Sequence, residues 1–251
     1  IDSRDLRSLK DAFLKSDYEN KMYETFNHFL KPGMSVVDLG AHIGLFTIIA
    51  AEKVGGRGKV YSFEPMPRCF ELLQKNVKLY NLDNVRMIQS VVTDKEGGGK
   101  ATLWMDKHYS ILGSLQKDNL MNIGSKVEVK AITLDEFFFD NNHKGSRVDI
   151  IKMNIQGAEG LVVDGAENVL KTHGPMIFME FWPYGLKKVG TDPEQLYDKL
   201  ISYGYRADMI SMADATSKLI RKNDIFPLAD VHSKKSVAMY LLWKKSEANF
   251  L

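Results

Sequence analysis

The sequence predicts an α/β fold, a doubly wound and mostly parallel sheet of seven strands with N-terminal helices. Apolar strands alternate with amphipathic helices along most of the chain, which is typical of a sheet covered on both faces. The first strand ends at Asp38-Leu39-Gly40, a helix follows, and the next strand ends at Phe63-Glu64-Pro65. This order predicts a parallel pair of strands joined by a right-handed crossover.

Hydrophobic spacing and turn residues define the elements of the first half. Apolar residues recur at helical spacing from residue 6 to residue 30, and Lys31-Pro32-Gly33 ends that segment. Gly55-Gly56-Arg57-Gly58 separates the first sheet-covering helix from the second strand. The elements predicted here are strand 36–39, a helix around 46–50, strand 59–63, helix 67–80, strand 85–91 and β segments 101–104 and 126–131.

Helix caps and short apolar runs define the elements of the second half. Thr133 is a suitable N-cap for a short helical piece over residues 134–138. Asp192 caps a helix over residues 193–203, and Gly204 ends it. The other predicted elements are strand 148–153, helix 158–170, strand 175–181 and a closing strand over residues 237–243.

Length and composition predict one sizeable globular domain. The chain has 251 residues, of which 44% are hydrophobic and 26% are charged. This composition is sufficient for a full hydrophobic core. We therefore assign residues 33–251 to one domain and residues 1–32 to an N-terminal helical segment.

Charge and cysteine content narrow the classes of partner. A formal net charge of +2 and a pI near 8.4 are too mild to favour nucleic acid or an anionic membrane as a partner.

Cys69 is the only cysteine, which excludes a disulfide within the chain and argues against a thiol-based metal cluster. The absence of disulfides favours a reducing cytoplasm. The apolar runs are too short to span a bilayer, and residues 1–5 lack a basic-then-apolar leader. We expect a cytoplasmic protein with no metal site, nucleic-acid partner or membrane span.

The tips of the first two strands predict a nucleoside-binding half-site. Gly40 and Gly44 remove side chains that would keep a ligand away from the backbone, and the next helix offers N–H groups to a carboxylate. Glu64 is placed to accept hydrogen bonds from both ribose hydroxyls. The G-x-x-x-G spacing differs from the dinucleotide fingerprint and favours a phosphate-free adenosyl ligand, S-adenosylmethionine. His42 lies in this turn, and histidine tolerates the positive φ that a sharp turn requires. A plain strand-to-helix turn with a solvated Glu64 is the alternative.

A third strand end adds polar groups to the same edge of the sheet. Ligands of open α/β sheets bind beyond the carboxyl ends of the strands. Asn154, Gln156 and Glu159 follow strand 148–153, and Glu180 lies at the end of strand 175–181. We therefore expect these side chains to line the same crevice as the cofactor.

Five stretches of the chain resemble the FkbM-type class I methyltransferases, in family order and spacing. They are residues 31–44, 63–65, 133–136, 151–159 and 165–166. The resemblance implies a Rossmann-like fold, S-adenosylmethionine as cofactor, and methyl transfer, often to an oxygen of a sugar, lipid or natural-product scaffold. By position it also implies that Glu24 and Gly40 lie near the methionine end, Glu64 on the ribose, and Ser90 and Val91 beside the adenine. The resulting cofactor-binding set is Glu24, Asp38, Gly40, Ala41, His42, Gly44, Glu64, Pro65, Ser90, Val91 and Asn154.

Three positions depart from the family pattern. The family usually has acids where this chain has Asn154 and Gln156, and asparagine where it has His42. The two amides keep the shape of an acid but remove its charge, so neither supplies a carboxylate base or a charged metal ligand. The predicted catalytic residues are Asn154, Gln156, Glu159 and Glu180. We prefer Glu180 as the proton acceptor because a strand end is rigidly placed.

The surroundings of this site leave several alternatives open. His42 and His108 are further candidate proton acceptors, and for each candidate a structural role is the alternative. Trp182 and Tyr184 form either an aromatic wall for the acceptor or part of the core. Residues 107–124 form either a lid over the acceptor or a surface loop.

These observations predict an O-methyltransferase that acts on a small molecule, a glycan or a natural-product scaffold. One alternative is a protein that binds the cofactor without turnover, which the missing acids suggest. Others are a methyltransferase for a protein, RNA or an amine nitrogen, and a nicotinamide-dependent dehydrogenase. The chain has no Asn/Asp-Pro-Pro-aromatic turn after strand 148–153, which argues against methylation of a base amine.

Overall fold

The computed structural model describes residues 17–95, 99–107, 113–120, 123–140, 146–211, 216–226 and 239–246. The helices in these ranges are α1 Asp17–Phe29, α2 Leu45–Val54, α3 Pro67–Leu79, α4 Glu159–Asp164, α5 Glu167–Thr172, α6 Pro183–Val189, α7 Pro193–Ser202 and α8 Lys222–Ile225. The strands are β1 Ser35–Leu39, β2 Lys59–Phe63, β3 Val85–Ile88, β4 Val91–Val92, β5 Lys100–Asp106, β6 Gly113–Ser114, β7 Ile123–Ile132, β8 Ile150–Met153, β9 Met176–Phe181, β10 Tyr205–Ile210, β11 Ser217–Leu219 and β12 Met239–Lys245.

The central sheet has the strand order β11-β10-β12-β9-β8-β1-β2-β3. Strands β3, β2, β1, β8 and β9 are parallel, and β12, β10 and β11 continue the sheet in antiparallel pairing. The predicted α/β fold with a mostly parallel sheet is confirmed. Among the described residues the central sheet has eight strands, where the sequence predicts seven. The three residues of β11 are at the sheet edge and largely exposed, so they carry no apolar alternation from which a strand is predicted.

A second sheet of four strands, β4-β7-β5-β6, lies beside the first. The predicted strand over residues 85–91 is wrong, because β3 joins the central sheet while β4 pairs with β7 in the second. Ser90 lies at this break, and its hydroxyl donates to Lys130 O at 2.9 Å. The change of sheet therefore places Ser90 and Val91 beside the carboxyl end of β2.

The helix predicted over residues 158–170 is two helices, α4 and α5, separated at Gly165. A β-carbon at Gly165 would lie 2.1 Å from Thr93 O, so this chain segment packs directly against the backbone of the turn after β4. The short helical piece predicted over residues 134–138 is a π-helical turn, Glu136–Asp140. Helix α6 is absent from the prediction.

The helices pack on both faces of the central sheet because neighbouring residues of each strand point to opposite faces. Val36 packs in one hydrophobic cluster with residues of α1 and α2, whereas Val37 packs in another with residues of α4, α5 and α7. Phe26 of α1 is fully buried, with its ring centroid 5.4 Å from that of Phe46 and 5.2 Å from that of Phe178. Helix α1 therefore shares a core with the sheet, and the domain boundary at residue 33 stays a prediction.

Residues 6–16 of the predicted N-terminal helix lie outside the described residues. Within the described part of the chain, none of the helices has both the length and the apolar character needed to cross a bilayer.

Candidate active site

A cavity of about 460 Å³ opens at the carboxyl ends of β1, β2, β8 and β9. This volume lies within the usual range of small-molecule sites. The cavity wall brings together most of the residues predicted from the sequence. Those that line it are Gly40, Ala41, His42, Glu64, Pro65, Ser90, Val91, Asn154, Gln156 and Glu180.

The turn after β1 is held close to the neighbouring strand tips. The N–H groups of Gly40 and Ala41 donate to Phe63 O, at 3.1 and 3.0 Å. A β-carbon at Gly40, whose φ is +71°, would lie only 2.4 Å from Asn154 O. His42 has a φ of +55°, so the sharp turn predicted at this histidine is confirmed. Glycine at position 40 thus allows the tips of β1 and β8 to approach each other.

Glu64 is held by backbone N–H groups on both carboxylate oxygens. Oε2 accepts from the His42 N–H at 2.7 Å, and Oε1 accepts from the Met66 N–H at 2.9 Å. Burial raises the pKa of Glu64 to about 7, while the two N–H groups and Lys152 act in the opposite direction. Because each carboxylate oxygen has two lone pairs, both can accept a further hydrogen bond from the cavity.

A buried polar network supports the turn from behind. Lys152 Nζ lies 3.0 Å from Asp38 Oδ1 and donates to Gly40 O at 3.0 Å and to Leu39 O at 3.3 Å. Thr47 Oγ1 donates to Asp38 Oδ2 at 2.7 Å. Asp38 is fully buried and lies behind the cavity wall rather than on it. Its predicted contribution to cofactor binding is therefore indirect, through the backbone of the turn.

Sequence reasoning assigned no role to Lys152, although the residue lines the cavity. Lys152 is the register partner of Asp38 in the parallel pair β1–β8, and its side chain is 4% exposed. A lysine inside an otherwise apolar strand is the signal that could have identified it, because a buried ammonium needs a partner.

The polar groups that follow β8 form hydrogen bonds with each other and with β12. Asn154 Nδ2 donates to the Tyr240 hydroxyl at 3.1 Å, and Gln156 Nε2 donates to Asn154 Oδ1 at 3.5 Å. Tyr240 also lines the cavity. Nothing in the sequence around Tyr240 predicts this position, because the pairing of β12 with β9 places it there.

The two candidate acids occupy different environments. Glu159 is fully buried, does not line the cavity, and accepts the Ile155 N–H at 2.9 Å. This bond closes the turn that enters α4, and burial raises the Glu159 pKa to about 7. Glu180 is half-buried with its exposed part at the cavity. Burial, followed by the nearby Glu159, raises the Glu180 pKa to about 8.

The other residues predicted for the site either lie away from the cavity wall or are poorly suited to accept a proton. Glu24 is exposed and Gly44 caps α2, and neither lines the cavity, whereas Tyr23 does. Burial lowers the pKa of His42 to about 4, so its imidazole is a weak proton acceptor. Trp182 and Tyr184 have ring centroids 5.5 Å apart and are not among the described residues that line the cavity.

The proposed lid segment is only partly described. His108 and residues 109–112 and 121–122 lie outside the described residues. Gly113, Ser114 and Leu115, from the same segment, line the cavity. No group of three or more His, Cys, Asp or Glu side chains placed to bind a metal occurs in the described ranges.

Comparison with known proteins assigns the family. The family model described as the methyltransferase FkbM domain matches residues 38–207, which is more than half of the chain. The chain belongs to the FkbM methyltransferase family. The match includes β2, β8 and the last two residues of β1, and the cavity opens at the carboxyl ends of these strands.

Two curated relatives are methyltransferases. Methyltransferase 1 of Beauveria bassiana is 25% identical over an alignment of 147 residues, which covers 53% of this chain and 58% of that protein. Methyltransferase sdnD of Sordaria araneosa is 25% identical over an alignment of 177 residues, which covers 61% of this chain and 68% of that protein. The chain thus spans little more than half of the first relative's length.

A solved structure supports the fold assignment. A candidate rRNA methylase from Clostridium thermocellum aligns over 92% of this chain and 96% of its own, with a TM-score of 0.50 and 12% identity. The fold is that of the class I methyltransferases, and the cavity lies at the carboxyl edge where open α/β sheets bind their ligands.

Proposed function

We propose that this chain binds S-adenosylmethionine in the cavity and transfers its methyl group to an oxygen of a small molecule, a glycan or a natural-product scaffold. The observation that carries the proposal is the joint placement of the Gly40 turn and the buried Glu64 carboxylate on one cavity wall. Residues 33–251 form the cofactor-binding domain in this proposal.

The residues of the cavity fit an adenosyl ligand. Glu64 offers carboxylate oxygens to the two ribose hydroxyls, as an acid at the second strand tip does in nucleotide folds. Ser90 and Val91 lie next to this strand tip and are assigned to the adenine. The backbone of the Gly40–Ala41 turn approaches the ligand without side-chain obstruction, and we assign the methionine end of the cofactor to this turn.

Methyl transfer makes modest demands on the protein. The cofactor, when bound, supplies a methyl group whose bond to sulfur breaks with its electron pair left on sulfur, while an acceptor oxygen lone pair forms the new bond. The protein must hold the acceptor oxygen in line and receive its proton. Glu180 is the proton acceptor in this proposal, because it is an acid that faces the cavity from a strand. Since a pKa of about 8 leaves it protonated at lower pH, kcat/KM rises with pH through this region.

The test is methyl transfer from S-adenosylmethionine labelled in the methyl carbon. The acceptors are panels of hydroxyl, amine and carboxyl metabolites, together with protein and rRNA, each measured with wild type and Glu180→Gln. Transfer to a hydroxyl compound that Glu180→Gln lowers at least tenfold supports the proposal. Transfer only to a protein, rRNA or an amine contradicts the assigned acceptor class. Cofactor binding without methyl transfer to any of these acceptors supports the alternative, a protein that binds the cofactor without turnover.

A further inference from the structure

Three polar side chains form one row across β8, β9 and β12 at the cavity wall. Glu180 and Tyr240 are register partners in the antiparallel pair β9–β12. Met153 and Met179 are register partners in the parallel pair β8–β9, so Asn154, the next residue, is level with Glu180. All three members of this polar row, Asn154, Glu180 and Tyr240, line the cavity.

The hydrogen bond between the outer two members passes over the middle one. Neighbouring strands are about 4.8 Å apart, so β8 and β12 are separated by roughly 10 Å, with β9 between them. Asn154 Nδ2 nevertheless lies 3.1 Å from the Tyr240 hydroxyl. Register partners in an antiparallel pair point to the same face, so the Glu180 side chain lies on the face that this bond crosses. In the structure the Asn154 amide is oriented with its NH₂ group toward Tyr240.

The row offers a hydrogen-bond donor next to a hydrogen-bond acceptor. An amide NH₂ has two N–H donors, and Asn154 gives one of them to Tyr240. The Glu180 carboxylate is an acceptor, and no hydrogen bond or ion pair to it occurs among the described residues. We propose that the polar row is the acceptor subsite of the enzyme and that it recognises a neutral hydroxyl group, which donates to Glu180 and accepts from Asn154. This inference rests on the proposed methyltransferase function.

Other acceptor groups match the row less well. A carboxylate or phosphate only accepts hydrogen bonds, and it would face the Glu180 carboxylate. Lys152 does not compensate, because its ammonium is engaged by Asp38 Oδ1 and by the carbonyls of Leu39 and Gly40. An ammonium group only donates, so it would leave the Asn154 N–H groups opposed to a cation. A hydroxyl group can donate a hydrogen bond to Glu180 and accept one from Asn154 at the same time.

The polar row and the proposed ribose contact lie at different strands along the same edge of the sheet. Glu64 follows β2, and the strand order β9-β8-β1-β2 places β1 and β8 between Glu64 and Glu180. At about 4.8 Å per strand, β2 and β9 are roughly 14 Å apart. The cavity therefore provides one end for the adenosyl group and another for the acceptor, with the Gly40 turn between them.

The test measures binding of matched probes by saturation-transfer NMR on protein saturated with S-adenosylhomocysteine. One series is benzyl alcohol, benzylamine and benzoate, and the other is methyl glucoside and glucuronate. The measurements are made at about pH 9, above the Glu180 pKa of about 8, so that its carboxyl is ionised. We expect the hydroxyl probe to bind most tightly in at least one series.

Two isosteric substitutions then test the row itself. Asn154→Asp replaces the N–H donor by an acceptor, and Glu180→Gln replaces the carboxylate by an amide. Each is expected to weaken the hydroxyl probe about threefold to tenfold, the loss typical of one hydrogen bond. Asn168→Asp and Glu71→Gln, at exposed positions on α5 and α3, are the matched controls and should leave its affinity unchanged.

Calorimetry with S-adenosylhomocysteine on the same samples separates the two proposals. If S-adenosylhomocysteine does not bind to wild type, the proposed function itself is wrong. If it binds but neither series prefers the hydroxyl probe, or if the row variants bind that probe as wild type does, the polar row is not a hydroxyl subsite. A gain of benzylamine affinity over benzyl alcohol would instead indicate an amine acceptor and would also contradict the inference.

Discussion

Gly40 has a backbone conformation and an environment that admit little but glycine. Its φ is +71°, and the Asn154 carbonyl oxygen occupies the space that a β-carbon would enter. His42 adopts a positive φ two residues later. These requirements are local to the turn, and for this reason the sequence alone predicts the turn and the residues Gly40, His42 and Glu64 around it.

Gly40→Ala is expected to destabilise the protein by about 1–3 kcal/mol from backbone strain, with a further loss from the clash with Asn154 O. Gly56→Ala is the matched control, because a β-carbon there has no atom within 4 Å and its φ is not positive. Urea unfolding of both variants measures the difference. A Gly40→Ala midpoint equal to that of Gly56→Ala would show that the tips of β1 and β8 are not closely packed.

Tyr240 and Lys152 show what residue patterns do not reveal. Tyr240 reaches the cavity only because β12 pairs with β9, and Lys152 meets Asp38 only because β8 pairs with β1. Both contacts depend on strand pairing between residues far apart in the chain. The sequence identifies the glycine turn and the acids, whereas the side chains that position them follow from the tertiary structure.

At the scale of elements, strands with strong apolar runs were predicted almost to the residue. The predicted strand 59–63 matches β2, and the predicted strand 175–181 matches β9 with one residue less. Strands β10 and β11 and helix α6 were not predicted. Helix α6 has only seven residues and follows almost directly on β9, so it is too short to show a helical periodicity of apolar residues.

The ion pair between Asp38 and Lys152 links β1 to β8 in the centre of the sheet. Lys152→Met leaves the Asp38 carboxylate buried without its partner, and we expect a loss of about 3–5 kcal/mol in the free energy of unfolding. The double variant Asp38→Asn/Lys152→Met removes both charges and should recover part of this loss. Urea unfolding provides the measurement.

An exposed ion pair serves as the control for this prediction. Lys100 and Glu128 pair between β5 and β7, and their side chains are 72% and 69% exposed. Lys100→Met should change the free energy of unfolding by no more than about 1 kcal/mol. Equal effects of Lys152→Met and Lys100→Met would mean that the central ion pair does not support the sheet.

For the molecule as a whole, buried carboxyl groups predict how stability depends on pH. Burial raises the pKa of Glu64 and Glu159 to about 7 and that of Glu180 to about 8, from an ordinary value of 4.5. A raised carboxyl pKa means that the folded state binds more protons than the unfolded state. The resulting stabilisation is complete below pH 4.5 and is lost as the pH rises through 7 to 8.

His42 acts in the opposite direction but in a lower range of pH. Its pKa falls from 6.5 to about 4, so its contribution to stability grows between these values and is constant above 6.5. We therefore expect the urea midpoint to fall between about pH 6.5 and about pH 8.5. Glu159→Gln should reduce the fall, and Glu71→Gln, at an exposed site, should not. A midpoint that rises over this range would contradict the assigned burial.

The central claim is that the Gly40 turn and Glu64 together bind the adenosyl group of S-adenosylmethionine. Titration calorimetry of the wild type, Glu64→Ala and the exposed control Glu71→Ala with S-adenosylmethionine tests it most directly. We predict saturable one-to-one binding by wild type and by Glu71→Ala, and a loss of about 1–3 kcal/mol in Glu64→Ala, because the ribose hydroxyls lose a charged acceptor. An unchanged affinity in Glu64→Ala, or no binding by wild type, would contradict the claim.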